Sequence, residues 1–375
     1  MSLRIAGLGL AVPEHALSQT DAAEVLVSLL PEGRRARTAR ELYARSGIRK
    51  RHSVLLRADD GGAPRQSFYG AARDGADPGP PTAERMRVFE EAAPPLAAAA
   101  AQSALLDAGM ATDAITHLVT VSCTGFFAPG LDAALVERLG LRRTVQRTHV
   151  GFMGCHGALN GLRVASSLAG SDPDTRVLLC CVELCSLHLG YGWDADTLVA
   201  NALFADGAAA LVGVGVNGGS PTDPDASAPR RARRPAWRVA ASGTLLLPDS
   251  ADAMTWRIGD HGFRMSLSAR VPDLVRAHVP AWLRGWLAEQ GVGFEEVRTW
   301  AVHPGGPRVL SAFAQGAGLD RDAFSASREV LAEYGNMSSA TLLFILHRLR
   351  EAGAEGPMVA LAFGPGLVVE AALLV

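Results

Sequence analysis

Gly151-Phe-Met-Gly-Cys155-His-Gly-Ala-Leu-Asn160 is the stretch on which the fold of this chain turns. Glycines at 154 and 157 flank the cysteine, and Leu159, Leu162, Ala165 and Leu168 then recur at helical spacing. The pattern predicts a tight turn running into a helix from about Cys155 to Leu168, with the thiol at the helix N-terminus. The positive end of the helix dipole there lowers a thiol's pKa towards the thiolate. Glycine neighbours also let a bulky group approach the backbone. A free cysteine otherwise serves as a small core hydrophobe, which is how Cys180 and Cys181 read, in mid-strand and without such a turn.

Working outwards, residues 4–12, 117–122 and 176–183 are short apolar runs of strand length, and residues 211–216 end another strand. A helix is expected from Pro81-Thr82 to Leu106, and residues 58–82, rich in Gly, Ala, Asp and Pro, read as a surface loop. Asn217 to Pro235 is a composition break, taken as a connection between two halves, 1–220 and 236–375. The second half repeats the logic of the first. A strand at Trp300-Ala-Val runs into His303-Pro-Gly-Gly-Pro, a helix follows Pro307, and Asn336 precedes a helix from 338 to 349. Strands at 358–363 and 367–374 flank Gly364-Pro-Gly366. Strands alternating with helices indicate an α/β fold.

Composition narrows the function classes. With 375 residues, 48% of them hydrophobic, the chain can bury a large core. A formal charge of -2 gives no global reason to expect nucleic acid or an acidic membrane as partner. Residues 33–57 do carry a cluster of arginines, but no aromatic platform is interleaved with it. No apolar run reaches the roughly 18 residues that span a bilayer. No cleavable signal pattern opens the chain, and the five cysteines lack the spacing of a disulfide scaffold, so the cytoplasm is the expected location. Cys181 and Cys185 are spaced for neither a zinc ribbon nor a redox pair, so no metal is expected.

His303 ends a strand in a turn too rich in Gly and Pro to belong to a packed element, which is how an imidazole is aimed at a substrate oxygen. Asn336, before Met-Ser-Ser-Ala, reads equally as a helix cap. Thiol, imidazole and carboxamide together suit one chemistry. The thiol carries an acyl chain as a thioester, while the other two donate to the enolate oxygen left when malonate loses carbon dioxide.

These segments resemble the type III polyketide synthases, the chalcone synthase-like branch of the thiolase superfamily. The resemblance rests on Gly151-Phe-Met-Gly-Cys155, Leu203-Phe204-Ala-Asp-Gly-Ala-Ala-Ala, His303-Pro-Gly-Gly-Pro, Glu333-Tyr-Gly-Asn336-Met-Ser-Ser-Ala and Phe363-Gly-Pro-Gly-Leu-Val-Val-Glu370. It implies a five-layered αβαβα thiolase-like fold built from two similar halves, a homodimer, and acyl-CoA and malonyl-CoA as substrates, with no further cofactor. Cys155 resembles the family nucleophile, and His303 and Asn336 the pair that drives decarboxylation, with His303 also keeping Cys155 ionised. Phe204 matches a gatekeeper, while Cys123, Cys185, Ser338 and the Gly366 turn fall on pocket positions. The loop of Phe126, Phe127 and Ala128 matches one that approaches the partner subunit's cavity.

Two positions depart from the plant pattern. Met265 stands in place of a second gatekeeper phenylalanine, and Trp256 in place of a small glycine that widens the cavity. For CoA, the resemblance points to Arg45, with Arg40 or Arg37 standing in for basic positions held here by Thr38 and Glu41, and to Gly305 and Gly306 beside His303. Glu183 falls on a position that is often acidic. The rival readings are a ketoacyl synthase III-like enzyme making one condensation, and a silent thiolase-fold subunit that only binds acyl chains. The sequence leaves the product open between a long-chain pyrone or resorcinol and a small naphthol.

Overall fold

The computed structural model describes residues 2–30, 35–59, 61–216 and 235–375. Arg34 and nearly all of the connection expected at 217–235 therefore lie outside the described residues. In the first half, β1 (Ser2–Ala11) is followed by β2 (Ala16–Ser18), α1 (Gln19–Leu29) and α2 (Ala36–Arg45). Short strands β3 (Lys50–His52), β4 (Leu56–Ala58) and β5 (Pro64–Gln66) lead to α3 (Thr82–Ala108). Then come β6 (His117–Ser122), α4 (Leu131–Leu139), β7 (Gln146–Gly151), α5 (Gly157–Ser171), β8 (Arg176–Leu184), α6 (Ala195–Leu203) and β9 (Asp206–Val216).

The second half opens with β10 (Arg238–Leu246), the hairpin β11 (Met254–Gly259) and β12 (Gly262–Leu267), and α7 (Val271–Glu289). It continues through β13 (Thr299–Val302), α8 (Pro307–Ala317), α9 (Ser325–Tyr334) and α10 (Ala340–Glu351). Strands β14 (Met358–Gly364) and β15 (Val368–Leu374) close the chain. Nine strands are hydrogen-bonded in the order β13-β14-β15-β10-β1-β9-β8-β6-β7. Among the described residues, the strands of the two halves pair where β1 meets β10, through Leu3↔Val239 and Arg4↔Arg238.

Side-chain alternation along the strands explains the layering. On β8, Val177, Leu179 and Cys181 face one core with α5 and α10, whereas Leu178, Cys180 and Val182 face another with α3 and α4. On β14, Met358, Ala360 and Ala362 share the core of α5 and α10, whereas Val359, Leu361 and Phe363 face α7 and α8. The order is helices, sheet, central helices, sheet, helices: the five-layered αβαβα, thiolase-like α/β arrangement. Covering both faces of a strand requires apolar residues at every position, which is why these runs are continuous. Cys180 and Cys181 are two such positions. Gly7 and Gly9 let β1 lie close on α3, since a Cβ at Gly9 would stand 2.2 Å from the Ala104 backbone nitrogen.

The expected surface loop at 58–82 is mostly irregular, but it includes β5 and a buried Tyr69, whose hydroxyl receives a bond from Arg85 at 3.1 Å.

Candidate active site

The strand ends of the central layers converge on Cys155. After β7 the chain turns at Phe152 (φ 61°) and Gly154 (φ 72°), and a short 3-10 turn at Gly154–His156 precedes α5. The helix thus begins two residues later than the sequence suggested. Holding a phenylalanine at positive φ costs about 1–3 kcal/mol, which the packing around it must supply. Pro365 occupies the space in front of Gly154, where a Cβ would stand 2.6 Å from the proline Cδ. The Gly364-Pro-Gly366 turn therefore acts through Pro365. Gly366 does not line the cavity as expected. Its carbonyl accepts from the Ser250 hydroxyl at 3.0 Å and its N–H bonds to the Met254 carbonyl at 3.2 Å.

Asn336 reaches the thiol from the other half of the molecule. Its backbone pairs with Leu203 and Ala205, at 2.9 Å each, so it is tied to the same strand end as Phe204. Its Oδ1 accepts from the Ser338 N–H at 2.9 Å, leaving the amide NH₂ to donate. The Ser338 hydroxyl and, less strongly, the Asn336 carboxamide both act on Cys155 to favour its thiolate. The capping alternative falls away, because α10 starts at Ala340 with Ser339 as its N-cap residue.

His303 follows β13 and is fully buried, with its N–H donating to Leu361 of β14 at 2.8 Å. Neither ring nitrogen has a partner among the described residues. Burial lowers its pKa most, and the charge of His156, the residue after Cys155, lowers it further. A buried imidazole with two orphaned nitrogens is costly, and a bound polar group would relieve it.

Burial works against the ionised thiol that the sequence suggests. Burial pushes the Cys155 thiol up to about 11; Ser338 and Asn336 act in the other direction, while the nearby Glu183 charge adds to the rise. The pull of the helix terminus does not overcome desolvation. Burial likewise brings His303 down to about 3.

Glu183 has a definite structural place. Its carboxylate, fully buried, accepts from Thr124 Oγ1 at 2.7 Å, the Cys123 N–H at 3.0 Å and the Ser339 hydroxyl. Cys123 Sγ lies 3.5 Å from that carboxylate and 3.1 Å from Ser338 Oγ, so Glu183 anchors the loop that shapes the thiol's surroundings.

Cys155 opens onto a cavity of about 450 Å³ that Cys123, Cys185, Phe204, Ser338, Trp256 and Met265 also line. Trp256 pairs with Met265 across the hairpin, and its Nε1–H donates to the Cys123 carbonyl at 2.7 Å. The indole fills one wall together with Phe263 and His188, whose rings stack at 4.2 Å. Away from that wall the cavity reaches Leu17 and, on α1, Ala22, Val25 and Leu29.

Sequence reasoning missed Phe263, His188 and the α1 side chains. The alternation Met254, Trp256 and Phe263, Met265 along the hairpin was a usable signal for Phe263. Nothing local marks α1. Arg40, expected at CoA, is instead held by Glu24 through bonds of 2.7 and 2.8 Å, and Arg37 is held by Glu41. Arg45 is exposed, with no ion pair among the described residues. Gly305 and Gly306 form the His303 turn but do not line the cavity.

Both halves of the chain match known proteins. Residues 3–217 match chalcone and stilbene synthases, N-terminal domain, and residues 238–375 match the C-terminal domain. The chain belongs to the chalcone and stilbene synthase family, the type III polyketide synthases, which are CoA-dependent condensing acyltransferases. It is 37% identical to a 1,3,6,8-tetrahydroxynaphthalene synthase of Streptomyces peucetius subsp. caesius, over 99% of this chain and 92% of that one. It is 32% identical to the alpha-pyrone synthesis polyketide synthase-like Pks18 of Mycobacterium tuberculosis, over 98% and 90%. The crystal structure of PKS-I from the brown alga Ectocarpus siliculosus superposes with a TM-score of 0.89 at 30% identity, covering 100% of this chain and 98% of that one.

A neutral thiol has a checkable pH signature. The rate of Cys155 alkylation by iodoacetamide should climb steadily from pH 7 to 9, since the thiolate fraction rises about tenfold per pH unit below the pKa. A rate already level above pH 6 would show a preformed thiolate instead.

Proposed function

We propose that this chain loads an aliphatic acyl group from acyl-CoA onto Cys155 and extends it repeatedly with malonyl-CoA before cyclisation to a pyrone or phenol. In loading, the Cys155 sulfur bonds to the acyl carbon as the bond to CoA breaks. His303 takes the thiol proton and returns it to the departing CoA thiolate. Malonyl-CoA then loses carbon dioxide, and the enolate oxygen accepts from the Asn336 amide and a protonated His303 nitrogen. The enolate carbon attacks the Cys155 thioester carbonyl and expels the Cys155 thiolate, leaving the extended chain on CoA, from which it is transferred back to Cys155 for the next round. The observation that carries this reading is the Cys155 thiol on the cavity wall, with Ser338 and Asn336 acting on it, together with a buried His303 whose two ring nitrogens have no partner among the described residues. None of these steps calls for a metal or redox cofactor.

The aliphatic arm formed by Leu17, Ala22, Val25 and Leu29 favours an alkyl starter over a malonyl-only route. Arg45, exposed on the last turn of α2, is the candidate for a CoA phosphate. We also propose a homodimer. β7 ends the sheet with Gln146 to His149 exposed, and Phe126, Phe152 and Met153 are exposed too. An open strand edge with apolar neighbours suits pairing with a second copy across a two-fold axis. Among the described residues no helix is long and apolar enough to cross a membrane. Cytoplasmic residence is part of this proposal, because CoA thioesters are found there.

Three outcomes are expected. Cys155→Ala should abolish loading, whereas His303→Ala and Asn336→Ala should each cut carbon dioxide release from malonyl-CoA by about a hundredfold; undiminished release would contradict the roles given. In a panel of starter CoAs analysed by mass spectrometry, long alkyl starters should outperform malonyl-CoA alone, and Val25→Phe should shorten the preferred chain. No change with Val25→Phe would remove the arm from the account. Sedimentation equilibrium should give twice 39.3 kDa, and a monomer would refute the β7 interface.

A further inference from the structure

Behind the thiol runs a chain of buried hydrogen bonds for which the reaction above has no use. Glu370 on β15 is 4% exposed. Its Oε1 accepts from Asn160 Nδ2 and Thr244 Oγ1, both at 3.0 Å, and its Oε2 accepts from Arg163 Nη1 at 2.7 Å. Asn160 Oδ1 in turn stands 2.6 Å from His156 Nδ1. A carboxylate held by a guanidinium can only accept. Asn160 must therefore present its NH₂ to Glu370 and its oxygen to His156. It follows that His156 Nδ1 carries the proton, and in the neutral ring Nε2 keeps a lone pair.

The position of this imidazole gives the relay its meaning. His156 is next to Cys155, and its ring lies against Gly364, where a Cβ would stand 2.2 Å from Cδ2 and 2.8 Å from Nε2. His303 is bonded to the same strand through Leu361. Ala301, Ala360 and Ala362 all point into the central layer, and strand alternation carries His303 to that face as well. The charged or titratable groups around His156 are Cys155 on its own turn, His303 after β13, Arg163 on α5 and Glu370 on β15. Burial, the largest influence, holds His156 below its ordinary value, while Asn160 and Glu370 pull it up and Arg163 pulls it down.

We propose, building on the assignment of His303 as the base, that His156 is a positioning residue for the Cys155–His303 pair. Glu370 and Asn160 hold it as the neutral Nδ1–H tautomer. The Nε2 lone pair then favours a proton on His303 at the moment Cys155 is acylated, whereas a cationic His156 would repel that proton. The reaction thus draws on a carboxylate that never touches substrate.

The test is the pH profile of acyl loading in His156→Phe, His156→Gln and Glu370→Gln, with thermal melts as the folding control. Phenylalanine fills the ring's space without a lone pair. Glu370→Gln is isosteric but lets Asn160 turn over and present its NH₂ to His156. Both should slow loading on the order of tenfold with an unchanged KM for the starter, and should move the acid limb of the profile to lower pH. Glutamine at 156 offers an N–H and an acceptor oxygen, and should restore part of the rate. Parental pH profiles in His156→Phe and Glu370→Gln, whatever their rates, would overturn the proposal, as would failure of both to fold, because the network would then be purely structural. Failure of the underlying reading looks different: Cys155→Ala would still load acyl groups.

Discussion

Where Pro365 rests on Gly154, the two halves of the molecule meet beside the thiol. Gly154 can adopt φ 72° and has no Cβ, and so it accepts the proline ring that a side chain would exclude. The contact fixes the Cys155 turn against the β14–β15 turn. His303 hangs from β14 by a backbone bond, and His156 packs against the glycine that precedes Pro365. Asn336 arrives from the far side, tied to the chain on either side of Phe204. Four separate stretches of sequence are thereby held around one sulfur by backbone contacts more than by side chains.

Burial then decides the electrostatics. The same packing that positions the thiol and imidazole removes the water that would stabilise their charged forms, raising the thiol's pKa and lowering the imidazole's. A dry site strengthens the few donors that remain, the Asn336 amide and the Ser338 hydroxyl among them, because no solvent competes for the developing oxyanion. Glu183 adds a further constraint, holding Cys123 and its loop from behind.

Much of this was legible in the sequence because the governing features are local. Gly-Phe-Met-Gly-Cys155 announces a tight turn before a helix, and His303-Pro-Gly-Gly-Pro a rigid strand end. The continuous apolar strands announce sheets covered on both faces. What could not be read depends on packing between distant segments. Arg40 looks like a phosphate ligand until Glu24, sixteen residues away, is seen to occupy it. Asn336 resembles a helix cap because the backbone bond to Leu203 is invisible in the chain. Gly366 carries the motif, yet Pro365 makes the contact. The arm under α1 has no signature, since Ala22, Val25 and Leu29 read as any amphipathic helix. The upward pull of burial on the thiol is equally unreadable, because helix geometry is local and desolvation is not.

Three cysteines, Cys123, Cys155 and Cys185, line the same cavity, and burial raises all three thiols. The central claim is that only one of them carries the growing chain, because only one is contacted by Asn336 at the end of the Pro365–Gly154 junction. Incubation with an alkyl acyl-CoA, acid quench and peptide mapping by mass spectrometry would read this directly. The acyl mass should appear on the peptide bearing Cys155 alone, and an adduct on Cys123 or Cys185 with Cys155 unmodified would contradict the account.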